Sequence, residues 1–317
     1  MALWLSEEDV RAVLNMETAL ECVEAALRAV ATDAAVDTPR VRTRFAQGAL
    51  HVLQAAAPAL GLTGFKYYYI GPRGKCSYVH LVNARTAKLE AVIASGWLGM
   101  MRTGAASGVA ARHLGPAAAR VAGQIGAGMQ APGQLEAVCK ACNIERARVF
   151  SRDRTRLVAF CKTMSDRLGV EVLPAASAAD AIQGADVVNV VTNSAQPVLE
   201  GAWLAPGQHV NAVGSNSLAH RELDFAAVRR CDLVVVDSRC TARCECGDLL
   251  PVVEQGLIRW DRLPELGEVI AGLRHGRRTA QDITLYESHG MCIQDLYVAE
   301  RVLDAARTRR LGCELPI

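Results

Sequence analysis

Three cations in the first third of the chain could hold an acid. Arg40 follows Pro39, Lys66 closes Gly64-Phe65-Lys66, and Arg102 opens a helical pattern at Arg102-Thr103, so each stands beside a turn or an element boundary. Cations so placed can converge on one carboxylate: an arginine fork makes two parallel hydrogen bonds, and a nearby helix N-terminus adds positive potential. Spacing alone leaves each of them closer to an ordinary surface charge than to a ligand.

A second group points to a phosphate-bearing cofactor. An apolar strand pattern leads into Gly126-Ala127-Gly128-Met129-Gln130-Ala131, followed by a helical pattern and a second strand ending at Ser151. Gly126 permits a tight turn, Gly128 lets backbone approach a pyrophosphate at the positive end of the helix, and Ala131 fills the third small position. A lone turn of this kind is a weak signal. Its context strengthens it, because the step from Gly126 to Ser151 is close to the ~20 residues that separate such a turn from the ribose-recognising position. An acid there would take the ribose hydroxyls of NAD, whereas Ser151-Arg152 offers a hydroxyl and a guanidinium suited to a 2′-phosphate. NADP(H) is therefore favoured, and Asp153 keeps NAD(H) open.

Eleven cysteines need a reading. Cys139-x-x-Cys142 and Cys244-x-Cys246 could together suggest a zinc site, but thiolate pairs of that kind usually sit on knuckles or loops and the first lies inside a helical pattern, so no metal site is expected. Reduced thiols serving as small, semi-apolar fillers account for them.

Elements must position these groups. Ser6 can cap a helix in which Val10, Val13, Leu14, Ala19, Val23 and Leu27 recur at helical spacing through Val30. From Pro39 to Ala94 short alternating segments, at 50–54, 64–70, 78–83 and 89–94, read as antiparallel sheet. A helix rich in small residues is expected over 102–113. After Gly115-Pro116, strands and helices alternate as in a parallel sheet: strands end near Ile125, Phe150, Leu173, Thr192, Val213 and Asp237, with helices at 134–142, 154–168 and 178–183. A last helix at 290–306 should return to the first domain. The expected fold is α/β, with a Rossmann-type dinucleotide-binding domain at 117–285 and a discontinuous α+β domain at 1–116 completed by 286–317.

Composition excludes other classes. At 317 residues, 51% apolar and 21% charged, the chain can bury a large core. A net charge of +2 with no long basic run gives no reason to expect a nucleic-acid or membrane partner. Glu7, Glu8 and Asp9 precede any sustained apolar run, unlike a secretory signal, and no stretch reaches the ~18 apolar residues of a membrane span. A cytoplasmic protein acting on a small molecule is expected.

Several motifs, in order and with compatible spacing, resemble the ornithine cyclodeaminase and mu-crystallin family over nearly the whole chain. They are Pro39-Arg40, Gly64-Phe65-Lys66, Met101-Arg102-Thr103-Gly104-Ala105-Ala106, Gly126-x-Gly128-x-Gln130-Ala131, Ser151-Arg152, Val190-Val191-Thr192, Asn211-Ala212-Val213-Gly214, Arg221-Glu222-Leu223-Asp224 and Gly247-Asp248-Leu249. The resemblance implies a homodimer whose discontinuous domain supplies both the dimer interface and the substrate pocket. It implies hydride transfer between a nicotinamide and the α-carbon of an amino or imino acid. Arg40, Lys66 and Arg102 fall on its substrate-carboxylate positions. Thr103, Gly126, Gly128, Met129, Gln130, Ser151, Arg152, Thr192, Val213, Gly214 and Gly290 fall on its cofactor-binding segments.

One departure bears on the reaction. In ornithine cyclodeaminases an aspartate after the Ala-Val-Gly turn assists deprotonation and ring closure, whereas this chain has Gly214-Ser215-Asn216-Ser217. Asn216 takes no proton at neutral pH. Reduction of a ketimine, as in mu-crystallin, needs a cationic pocket and a proton donor but no strong base, and fits these residues better. Lys66 is the leading donor, since a partly desolvated lysine among cations has a lowered pKa, although a permanently charged clamp fits it equally well. His289, in Ser288-His289-Gly290, is a second donor candidate. Ornithine cyclodeamination with catalytic NAD+ and a non-catalytic ligand-binding role remain the alternatives. The substrate's side chain is open among a cyclic ketimine walled by the tyrosines at 67–69, a dicarboxylate held by Arg42, Arg44 or Arg73, and ornithine.

Overall fold

Alternation at period two builds the first sheet, and near-continuous apolar strands build the second. In the computed structural model, which describes residues 1–316, the chain divides into two units, Met1–Arg102 with Gly290–Ile317, and Thr103–His289. The sequence placed these divisions near 117 and 285. The first instead falls inside a helix, because the half after Arg102 packs within the second unit: a Cβ on Gly104 would lie 2.2 Å from the carbonyl oxygen of Gly133. The small residues expected of that helix are used for this close approach.

The first unit starts with β1 (Ala2–Leu5), α1 (Glu7–Val13) and α2 (Met16–Ala31). The two helices were expected as one. They separate because Asn15 is extended and caps α2, its side chain accepting from Thr18 N at 2.9 Å. Next come β2 (Val36–Phe45), β3 (Gly48–Ala57), β4 (Leu62–Gly71), β5 (Gly74–Asn83) and β6 (Leu89–Ala94). Helix α3 spans Gly96–Leu114, and Glu7 caps its start by accepting from Gly96 N and Trp97 N. Arg102 therefore lies in its second turn and not at a helix start, so no N-terminal potential acts on Arg102.

The second unit continues with β7 (Val121–Ile125), α4 (Ala131–Ala141), β8 (Arg146–Phe150), α5 (Arg154–Leu168), β9 (Glu171–Pro174), α6 (Ala178–Ile182), β10 (Val187–Val190) and β11 (His209–Ala212). It ends with α7 (Phe225–Arg230), β12 (Leu233–Val236), α8 (Arg239–Glu245), α9 (Leu250–Glu254), α10 (Leu266–Ile270) and β13 (Thr284–Glu287). The first unit resumes with α11 (Cys292–Arg309) and β14 (Cys313–Leu315).

The first sheet has the order β14-β1-β6-β5-β4-β3-β2, antiparallel except where β1 runs parallel to β6. Its β3 and β4 alternate cleanly: Leu53, Ala55, Ala57, Leu62, Gly64 and Lys66 face inward, and Val52, Gln54, Phe65 and Tyr67 face outward. Helix α11 covers the inner face. The second sheet, β12-β13-β11-β10-β7-β8-β9, is wholly parallel. That doubly wound α/β arrangement is of the Rossmann type. Strands β1, β13 and β14 were not anticipated; β13 is short, fully buried and lacks alternation. Among the described residues no helix is long and apolar enough to cross a membrane, and all eleven cysteines are free.

Candidate active site

In the first unit, Lys66 on β4 and Arg102 on α3 meet at a residue that the motifs did not single out. Asp295, in the first turn of α11, is fully buried and accepts from Lys66 Nζ at 2.7 Å and from Arg102 Nε at 3.1 Å. Gln294 Oε1 accepts from Arg102 Nη1 at 3.3 Å. The signal for Asp295 was present as an acid on the apolar face of the last helix, between Ile293 and Leu296. A buried charge must be paired, so it had to meet a cation.

Burial lowers the Lys66 pKa to about 8, with Asp295 opposing that fall and Arg102 adding to it. Burial raises the Asp295 carboxyl, but Arg102 and Lys66 together outweigh it and hold the acid below its ordinary range. The group is thus an anion, two cations and an amide, with the positive charge in excess.

More cations share this face of the sheet. The guanidinium of Arg40 lies 5.8 Å from the Tyr68 ring centroid, and Lys75 Nζ lies 4.9 Å from the same centroid. Arg42 Nε donates to His51 Nδ1 at 3.2 Å, and His51 stacks on Tyr68. Burial first, then Arg42, Arg40, Arg44 and Lys75, depress the His51 pKa to about 4, so its ring is neutral. Lys75 was missed because it reads as part of an exposed turn. Of the tyrosines proposed as pocket walls, only Tyr68 shares the Lys66 face; Tyr67 and Tyr69 point to the opposite side by strand alternation, and Arg73 lies in the exposed β4–β5 turn. Gly290 has φ +86°, and a Cβ there would come within 2.8 Å of Arg102 Nη1.

In the second unit the turn at 126–131 joins β7 to α4. Gly126 has φ +115°, and a Cβ on it would lie 2.3 Å from the carbonyl oxygen of Val191, so only glycine fits. Gly128 differs: a Cβ there would meet nothing within 4 Å, and nothing in the chain's own packing requires its smallness. Met129 is 72% exposed, and Gln130 is the N-cap residue of α4. Thr103 has its carbonyl oxygen bonded by Gln134 Nε2 at 3.1 Å.

The turn is braced by a buried ladder that sequence reasoning missed. Gln124 Nε2 donates to the carbonyl oxygens of Gly126 (3.1 Å) and Ala131 (3.4 Å), while its Oε1 accepts from Asn189 Nδ2. Asn189 Oδ1 accepts from Asn211 Nδ2 at 2.9 Å, and Asn211 Oδ1 meets His209 Nε2. These side chains sit on β7, β10 and β11, where periodicity alone reads them as interruptions of apolar strands.

Ser151 and Arg152 follow β8. Arg152 is exposed and makes no ion pair among the described residues. Asp153 is engaged as the N-cap of α5, accepting from Arg156 N at 3.0 Å. Thr192 and Gly214 are drawn together by Glu222, whose carboxylate accepts from Thr192 N, Thr192 Oγ1 and Gly214 N. Burial raises the Glu222 pKa to about 7, with the Thr192 hydrogen bond opposing that rise. Asp248 in turn accepts from Glu222 N and Leu223 N at 2.6 and 2.8 Å. Val213 N bonds to the Val190 carbonyl oxygen, and Asn216 is exposed in the loop after β11.

His289 is not presented at a surface. Its side chain is fully buried, its backbone N donates to Asp237 Oδ2 at 2.7 Å, and its Nδ1 faces Asp237 Oδ1 at 3.4 Å. Its Nε2 lies 4.0 Å from Glu287 Oε2.

Known proteins match this chain over its full length. The structure of Δ1-pyrroline-2-carboxylate reductase from Thermococcus litoralis, in complex with NADH and L-proline, superposes with a TM-score of 0.94 at 31% identity, over 99% of this chain and 100% of that one. An archaeal alanine dehydrogenase dimer with bound NAD gives 0.93 at 29% identity, over 100% and 99%. The iminosuccinate reductase of Paracoccus denitrificans with NAD+ also gives 0.93, at 26% identity over 100% and 99%. A family model matches residues 2–310, and the chain belongs to the ornithine cyclodeaminase/mu-crystallin family.

Proposed function

We propose that this chain is an NAD(P)H-dependent reductase of a small imino acid, able to run in reverse as an amino-acid dehydrogenase. The observation that carries this reading is the buried Lys66–Asp295–Arg102 group, a positively charged site with a lysine able to give up a proton near neutrality. Its relatives of known structure include two named imine reductases and an amino-acid dehydrogenase.

In this mechanism Arg40, Lys66 and Arg102 bind the substrate carboxylate, and their fixed geometry orients the carbon–nitrogen bond. Lys66 delivers a proton to the imine nitrogen from Nζ and recovers it from solvent. Asp295 keeps Lys66 and Arg102 in place and moderates the loss of the lysine's charge. When bound, the nicotinamide supplies or accepts the hydride.

The residues of the second unit suit that cofactor. Gly128 leaves room that the chain itself does not use, α4 offers its N-terminal amides, and Ser151 with the unpaired Arg152 suits a 2′-phosphate. Because Asp153 is already committed to capping α5, NADP(H) is the preferred form. Thr192, Val213 and Gly214 line the ends of β10 and β11 on the same side of the sheet as the turn. His289 is too enclosed to serve as the donor. Asn216 lacks a base, which sets cyclodeamination of ornithine behind reduction.

The chain acts as a homodimer in the cytoplasm. The outward face of the first sheet carries Val41, Phe65, Tyr67, Tyr69 and Tyr78, a surface apolar enough to be covered by a second copy. Eleven free thiols suit a reducing compartment.

A panel of imines formed from keto acids and amines, read by nicotinamide fluorescence, tests the reading. NADPH consumption with an imino acid is the expected result. Ammonia and proline formed from ornithine without net cofactor change would replace it with the cyclodeaminase, and cofactor binding without turnover on the whole panel would replace it with a ligand-binding role.

A further inference from the structure

Buried polar groups at the carboxyl ends of β12 and β13 exceed what cofactor holding asks of them. Cys246, at the end of α8, meets Glu287, the last residue of β13, and His289 just beyond it. One ligand atom from each, Sγ, a carboxylate oxygen and a ring nitrogen, lie within 4.8 Å of one another, and all three residues are buried. None of these partners is adjacent in sequence to Cys246, so the cysteine spacing carried no trace of the cluster.

Three features of the cluster suit a cation. The first is the setting of His289: its Nδ1 faces the Asp237 carboxylate while its Nε2 turns toward Glu287, the carboxylate–histidine arrangement that orients a metal-ligating imidazole. The second is Glu287, fully buried with neither carboxylate oxygen hydrogen-bonded apart from the weak contact that the Cys246 thiol offers. Such a group costs several kcal/mol of desolvation unless something compensates it. The third is local charge. Glu287 makes no ion pair with a lysine or arginine among the described residues, and the carboxylates Asp248, Glu222 and Asp237 all act on it. Asp248 Oδ2 is likewise buried without a hydrogen bond, and Asp248 is close enough to influence Cys246, Glu287 and His289 alike.

We propose that Cys246, Glu287 and His289 form a buried binding site for a zinc-type divalent cation. A thiolate, a carboxylate and a neutral imidazole together carry the charge that balances a divalent ion, and this mixed sulfur, nitrogen and oxygen set is a zinc set rather than a magnesium or calcium one. Binding releases the thiol proton and the carboxyl proton. The site is closed, so the cation ties the end of α8 to β13, and His289 becomes a structural ligand.

Metal content and cobalt spectroscopy of the full-length, untagged protein test this. Protein grown with zinc should carry about one zinc per chain. Stripped protein given Co2+ alone should show a thiolate-to-cobalt charge-transfer band and the visible bands of a tetrahedral site. Cys246→Ala should lose both zinc and band, whereas C240S and C244S, at exposed neighbours, should keep them. Glu287→Gln guards against a folding artefact, because it mimics the protonated acid and should fold while losing zinc. Protein free of zinc with no cobalt band overturns the proposal in favour of a protonated, metal-free cluster. A band that survives C246A and disappears in C244S overturns it in favour of adventitious surface binding.

Discussion

Lys66 Nζ and Asp295 Oδ1 lie 2.7 Å apart with both side chains buried, and Arg102 bonds the same oxygen. Asp295 is therefore the counter-charge of both buried cations as well as a packing residue of α11. Asp295→Asn leaves two buried cations facing each other and should cost about 3–5 kcal/mol of stability, the range for breaking a buried ion pair. Thermal melting checks this, and an unchanged melting temperature would show that the pair is solvated in solution.

The pH dependence follows from Lys66. Its pKa is lowered to about 8, so Lys66, the proposed donor, is protonated below that value and loses its proton above it. Imine reduction should hold level below pH 8 and then fall about tenfold per unit, while amino-acid oxidation, which needs the free amine, should rise to a plateau above pH 8. Lys66→Met should remove the limb and lower kcat. If it raises KM with kcat intact, Lys66 is a carboxylate clamp and the proton comes from elsewhere.

Arg102→Ala should lower kcat/KM by about 2–4 kcal/mol, the cost of leaving a buried carboxylate without its partner. Lys66 still neutralises Asp295 in that variant, so folding should survive. Steady-state kinetics with the best imine from the panel make the check, and unchanged values would remove Arg102 from the substrate site.

Two glycines of one turn should separate cofactor binding from folding. A Cβ on Gly128 would meet nothing within 4 Å in the chain, so in Gly128→Val the melting temperature should hold while dinucleotide affinity drops at least tenfold, about 1.4 kcal/mol or more. Gly126→Ala, at φ +115° and against the Val191 carbonyl oxygen, should instead destabilise the protein itself. Equal affinity in G128V would place the pyrophosphate away from this turn.

The NADP(H) preference proposed above rests on Arg152. Arg152→Ala should weaken NADPH far more than NADH, because only the former carries a 2′-phosphate. Titration by fluorescence quenching measures both, and an equal loss would refute that contact.

The amino-acid sequence by itself determined the class of fold and the chemical character of each segment. Alternation at 89–94 and helical spacing at 154–168 matched their elements to the residue, and the turn at 126–131 announced a strand-to-helix junction, because these signals depend on neighbours a few residues away. Tertiary structure alone decided who meets whom. Asp295 lies 229 residues from Lys66; its place on the apolar face of the last helix marks a buried acid in need of a cation, but not which cations it meets. Gln124, Asn189 and Asn211 look like flaws in apolar strands until the parallel register makes them a ladder beneath the turn. Arg102 moved from a helix start to a second turn because its cap, Glu7, comes from the opposite end of the first domain. Cys246, Glu287 and His289 share no motif and became a cluster only when α8 and β13 were packed together. In each case burial forces a polar group to find a partner, and the fold, not the spacing, supplies it.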